Sequence, residues 1–243
     1  MGVMRPRIRN EYVGMSMKAP AAPAMPQERS FDEFHLYTLP RTVTVRDGEL
    51  KQVEFLRAYG VKGVRKYTYN PAVHIGFNRS NYDPDYGLTD SKKVGIRIEI
   101  ANKEENKLGV PLPKGRMRLY RTDDVDGRRE FTGENTMDHL AKNETLKLDM
   151  GFAFDLVGER KRTDFVANVR QYMIDETFEI TLRNHKSVPV EIRVVEPLYR
   201  CSSWEIRDAT WAYEKINSNT IEFVVPVPAD GEKTFRYTVH YWW

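Results

Sequence analysis

Leu108 to Glu134, LGVPLPKGRMRLYRTDDVDGRREFTGE, is the stretch whose reading decides the fold. Pro111 and Pro113 stiffen a loop that closes at Lys114-Gly115. Met117 and Leu119 then alternate with Arg116 and Arg118, the period of two that marks a half-buried strand. Asp126-Gly127 is a hairpin signal, because the tight turns that join antiparallel strands need positive φ at their central residues. A return strand over Arg129 to Thr132 completes the unit.

Outward from this hairpin the same period recurs. Val94, Ile96, Ile98 and Ile100 share one face, with Gly95, Arg97 and Glu99 on the other. Leu146, Leu148 and Met150 alternate with Lys147 and Asp149. Further inward rows are Phe178-Ile180-Leu182, Val190-Ile192-Val194, Ile221-Phe223-Val225 and Phe235-Tyr237-Val239-Tyr241. Shorter β-rich runs lie at Phe34 to Tyr37, Val43 to Val45, Val53 to Phe55 and Val64 to Tyr69, with Pro40 and Asp47-Gly48 as punctuation. No long amphipathic helix is visible, although Asn135 to Ala141 could form one turn. The pattern predicts an all-β protein, organised as two tandem antiparallel β-sandwiches of immunoglobulin or fibronectin type, over residues 32–156 and 157–243. Residues 1–31, with Pro20, Pro23 and Pro26 among alanines and methionines, read as an extended arm.

Composition narrows the function classes. The 38 basic and 35 acidic side chains leave a net charge of only +3, which argues against a dedicated nucleic-acid binder. The single cysteine, Cys201, rules out an intrachain disulfide framework and a cysteine-rich metal site. No apolar run approaches the roughly 20 residues of a membrane helix, and the first residues carry no apolar signal-peptide core. These signals leave the compartment unassigned, with the cytoplasm as the default expectation.

No site motif survives inspection. With Gly127 as the sixth position of a calcium loop, Thr122 and Gly133 fall where the first and last ligands belong. Asn81, Asp83 and Asp85 form a second loose set of oxygens that reads as a solvated loop. His35, His74, His139, His185 and His240 share no metal-ligand spacing on one element. Neither a nucleophile-elbow motif nor a phosphate-binding glycine loop occurs. No catalytic residue, cofactor or metal is assigned. The candidates for interaction are aromatic and basic: Trp242 and Trp243 at the terminus, Trp211 before the last hairpin, and Arg116 and Arg118 on the outer face of the first one. Trp242 and Trp243 are adjacent on one strand and cannot both point inward.

The segment 108–134, followed by Leu146-Lys147-Leu148-Asp149-Met150-Gly151-Phe152, resembles the C-terminal domain of unknown function of bacterial mucoidy-inhibitor-A-like proteins. Phe34 to Pro40, Ile180 to Lys186, Val194 to Leu198 and Val225 to Ala229 match in the same order. The resemblance implies a tandem β-sandwich region with a surface or envelope role, and names no catalytic residue. Three functions are expected in descending order. The first is a non-catalytic binding or structural protein that self-assembles through its arm and aromatic C-terminus. The second is a carbohydrate- or envelope-binding module that stacks sugars on Trp and Tyr. The third is a hydrolase with an unrecognised carboxylate pair, or a metal in the Asn81 to Asp90 loop.

Overall fold

The structure is a computed structural model that describes residues 27–31, 34–38, 42–51, 56, 58, 60–77, 81–88, 90–122 and 126–243. Two compact units divide at Tyr59 and Gly60. In the first, β1 (Gln27–Phe31) pairs antiparallel with β2 (Phe34–Thr38). The last five residues of the expected arm are thus a strand, and the rest of the arm lies outside the described residues. Val43 to Val45, expected as a strand, is irregular; it leads into the Asp47-Gly48 turn, closed by Glu49 N–H donating to the Arg46 carbonyl at 3.0 Å.

The second unit holds β3 (Val64–Tyr69), β4 (Lys93–Ala101), β5 (Gly115–Thr122), β6 (Arg129–Met137), β7 (Thr145–Asn168), β8 (Met173–Asn184), β9 (Val190–Pro197), β10 (Trp204–Ala209), β11 (Tyr213–Asn217), β12 (Thr220–Val227) and β13 (Gly231–Trp242). No α-helix occurs among the described residues, and none of their helices is long and apolar enough to cross a membrane. The turn of helix expected over Asn135 to Ala141 is instead the end of β6 and a bridge from Leu140 to Leu112.

Nine strands form one sheet in the order β10-β13-β8-β7-β4-β3-β9-β12-β11, antiparallel except where β3 meets β9. The break expected between residues 156 and 157 falls inside β7, a strand of 24 residues, and β3 and β4 lie between β7 and β9 in the same sheet. Period-two alternation finds strands and their inward faces, but it carries no information about which strand pairs with which. The sheet folds back on itself. Phe223 on β12 meets Phe235 and Tyr237 on β13 at 4.8 and 5.3 Å between ring centroids, although five strands lie between β12 and β13 in the order of the sheet. A short segment connects the two ends of the sheet: Thr210 N–H still bonds the Arg236 carbonyl beside β13, and the Trp211 indole N–H already reaches the Val224 carbonyl on β12. A strand that changes partners in this way is how a folded sheet makes its corner. Of the apolar rows read from the alternation, Phe178, Ile180, Leu182, Ile192, Val194, Ile221, Phe223, Val225, Phe235, Tyr237, Val239 and Tyr241 are buried in the core.

Candidate functional site

The last strand sets the candidate site. Tyr237, Val239 and Tyr241 are buried, so His240 and Trp242 take the outer face. The register puts His240 beside Asp175, which faces Val166 on β7, and Trp242 beside Met173. His240 Nδ1 lies 2.8 Å from the Asp175 carboxylate, which Arg207 also contacts at 3.2 Å. Trp242 stacks on the His240 ring at 5.6 Å and remains 41% exposed. Val166, Val169 and Tyr172, on the end of β7 and its turn into β8, are also exposed. Trp243 N–H donates to the Tyr172 carbonyl at 3.2 Å, and its ring packs on Tyr82 at 4.8 Å. This end of the sheet therefore displays aromatic and aliphatic surface over a hydrogen-bonded polar base.

Tyr82 is held in place from below. It belongs to the loop Asn81–Gly87, whose side chains organise its own backbone: Asn81 Oδ1 accepts from Asp83 N–H at 2.8 Å, and Asp83 Oδ1 from Asp85 N–H at 2.9 Å. Those oxygens are thereby spent on Asx turns, which is the physical answer to the loose oxygen set. Among the described residues no group of three His, Cys, Asp or Glu side chains is placed to hold a metal ion. The loop carbonyls turn inward onto three arginines. Arg200 donates to the carbonyls of Asn81, Asp83 and Tyr86, Arg162 to those of Pro84 and Tyr86, and Arg160 to that of Gly87 at 2.8 Å. Two fully buried glutamates hold the guanidinium groups. Glu176 contacts Arg200 at 2.9 Å and Arg162 at 3.0 Å, and Glu196 lies 3.2 Å from Arg160. Arg160 also sits over the Phe178 ring at 3.7 Å.

Burial dominates the electrostatics of this interior. It pushes the Tyr199 hydroxyl up to about 12 and the Tyr237 and Tyr241 hydroxyls well above their ordinary range. The Glu196 carboxyl is raised above its ordinary 4.5, because the cost of burying its charge outweighs the attraction of Arg160. A carboxyl with a raised folded pKa binds its proton more tightly in the native chain than in the unfolded one. Its contribution to stability is therefore full below 4.5 and is lost as pH rises through the folded value. Glu196→Gln cannot titrate. Between about pH 4 and about pH 7 the variant should gain in melting temperature relative to the native protein, and a difference that stays constant with pH would contradict this assignment.

The other expected residues lie elsewhere. Trp211 is half-buried at the corner segment, under the Lys233 ammonium at 4.9 Å. Trp204 is likewise half-buried, with its indole N–H on the Ser218 carbonyl. Arg116 and Arg118 share a face of β5, as the alternation predicts, and both engage Glu134 on β6, at 3.3 and 2.7 Å. Arg118 holds the Glu134 carboxyl below the usual carboxylate range. The β5–β6 hairpin meets β7 near Asp149 and Met150, far along that strand from Val166, so the two arginines do not join the C-terminal aromatics. The buried glutamates and arginines were not singled out from the sequence, yet a signal was present. Glu176 continues the inward row of Phe178, Ile180 and Leu182, and Glu196 that of Val190, Ile192 and Val194. A charge in phase with a buried row requires a buried partner.

A scan of the chain against protein-family models finds no match, and comparisons with curated proteins and with solved structures find none either.

Proposed function

We propose that this chain is a non-catalytic, all-β binding protein that associates with copies of itself through its aromatic C-terminal end. The observation that supports this reading is Trp242, exposed among Val166, Val169 and Tyr172 while its backbone is fixed in β13 and its ring is seated on His240. Exposed aromatic surface on a rigid frame is the usual composition of a protein contact, and a two-fold contact would need only this one patch on each copy. The N-terminal arm, as a second contact across a neighbour, belongs to the same proposal. So does the relationship to the mucoidy-inhibitor-A-like C-terminal domain, with its surface or envelope setting. The finer architecture that accompanies it is an immunoglobulin-like sandwich, supported by the partner-switching segment between β10 and β11. A sugar platform is less well supported, because it needs several open rings on one face; Trp204, Trp211 and Trp243 are all half-buried.

Light scattering of the full chain at several concentrations tests the proposal. The expected result is a defined oligomer that a Trp242→Ala, Tyr172→Ser double variant converts to monomer with little change in melting temperature. A native chain that stays monomeric throughout, or an oligomer indifferent to the variant, would remove the proposal.

A further inference from the structure

The contact assigned to the C-terminal end has a titratable group directly beneath it. His240 is buried, and its ring lies within 24° of parallel to the exposed Trp242 indole. The register of β13 sets Asp175 of β8 on one side of His240 and Glu205 of β10 on the other. Arg207 is the odd residue of β10: Ile206 pairs with Val239 and Asp208 with Thr238, so Arg207 is the residue that the ladder skips. A bulge of this kind re-aims its side chain. The guanidinium reaches past β13 to Asp175 at 3.2 Å and touches Glu205 at 3.3 Å. Beyond Asp175, β7 presents Val166, with Asp164 exposed beside Thr177. Along β13, Thr238 bonds Thr177 at 2.9 Å, and Arg236 and Glu179 then neutralise each other.

The groups around His240 are thus the carboxylates of Asp175, Glu205 and Asp164 and the guanidinium of Arg207. With a neutral imidazole this cluster is negative, and a proton on His240 removes one unit of that charge. A two-fold contact brings two such clusters together, and like charges set against each other oppose the contact. The same proton turns the ring under Trp242 into a cation, 5.6 Å from the indole centroid. A cation within about 6 Å of a Trp ring face is attracted to it. Both effects favour the contact: Trp242 is held on its seat, and the surface it presents is less charged. Histidine is the side chain whose charge ordinarily changes between about pH 5 and about pH 8. We propose, resting on the self-association assigned above, that this contact is proton-linked: His240 takes up a proton as two copies meet, and association tightens as pH falls from about 8 to about 6.

The test is sedimentation equilibrium of the full chain at about pH 6 and about pH 8, at constant ionic strength. The expected result is a dissociation constant about ten-fold lower at the acid pH, within the usual range of a coupling between two ligands. His240→Gln keeps a side chain that can bond Asp175 but cannot titrate, and should give one constant at both pH values. His185→Gln, just after β8, should keep the native pH dependence. A second readout needs neither association nor a variant at His240. Native chain diluted to monomer should lose indole emission on acidification, because an imidazolium quenches an indole stacked on it, and Trp242→Phe should abolish that loss. Equal constants at the two pH values, tighter association at the higher one, a pH dependence that survives in His240→Gln, or Trp242 emission indifferent to pH each overturn the proton linkage and leave the association standing. A chain that is monomeric at both pH values overturns the association and the linkage together.

Discussion

Glu176→Gln lowers the free energy of unfolding by about 3–5 kcal/mol in urea titrations, the usual cost of removing one partner from a buried ion pair. The substitution keeps the shape of the side chain and removes only its charge. Arg200 is fully buried, and the side chain of Arg162 is nearly so; both rely on this one carboxylate for their compensating charge. The loop carbonyls of Asn81, Asp83, Pro84 and Tyr86 would then be bonded to arginines with no anion behind them. The loop loosens, Tyr82 withdraws from Trp243, and tryptophan fluorescence shifts toward the red before global unfolding. Glu179→Gln is the matched control. Glu179 pairs with Arg236 on the outer face of β8 and β13, where Arg236 is largely exposed, and its loss costs about 0–1 kcal/mol. Equal losses for the two glutamates would show that the buried network does not carry the stability assigned to it.

Gly87→Ala is expected to cost about 2–5 kcal/mol, summing the penalty of a left-handed backbone for an L-residue with that of overpacking. Gly87 has φ +86°, and a Cβ there would lie 2.2 Å from the Tyr199 hydroxyl oxygen and 2.4 Å from its ring. Tyr199 cannot retreat freely: it is buried, packs edge-on against Tyr86 at 5.6 Å, and its hydroxyl accepts from Arg160 at 3.3 Å. The Gly87 carbonyl is itself an acceptor for Arg160, so moving the backbone to relieve the clash breaks that bond as well. Gly127→Ala serves as the comparison. It shares a positive φ of +71° but has nothing within 4 Å of the added carbon, so it shows the backbone penalty alone. A melt in which the two variants lose the same stability would mean that Tyr199 yields without cost.

Much of the fold was legible before any coordinates, because a strand with one buried face writes its orientation into every second residue. The rows of β8, β9, β12 and β13 are buried where the alternation put them, and Asp126-Gly127 lies in the hairpin between β5 and β6, with Gly127 at φ +71°. The polar interior was only half legible. Glu176 and Glu196 interrupt apolar rows in phase, which flags a buried charge, but Arg200 lies outside any strand, and Arg160 and Arg162 sit in the run 159–165, ERKRTDF, whose charges read as a turn or an edge. The surroundings of His240 were not legible at all. They arise from the pairing of β13 with β8 and β10, a property of strands that meet only in the folded sheet.

What the chain itself determined is local: strands rather than helices, the face each strand buries, and the turns that separate them. Those follow from steric preference and from the period of apolar residues, both short-range. The pairing of β3 with β9 across more than a hundred residues, the continuity of one sheet through residue 157, and the meeting of three arginines with two glutamates under a seven-residue loop were decided by tertiary structure. The physical reason is that register and charge compensation are set by whichever arrangement satisfies every buried group at once, and that condition belongs to the whole sheet and to no single stretch of it.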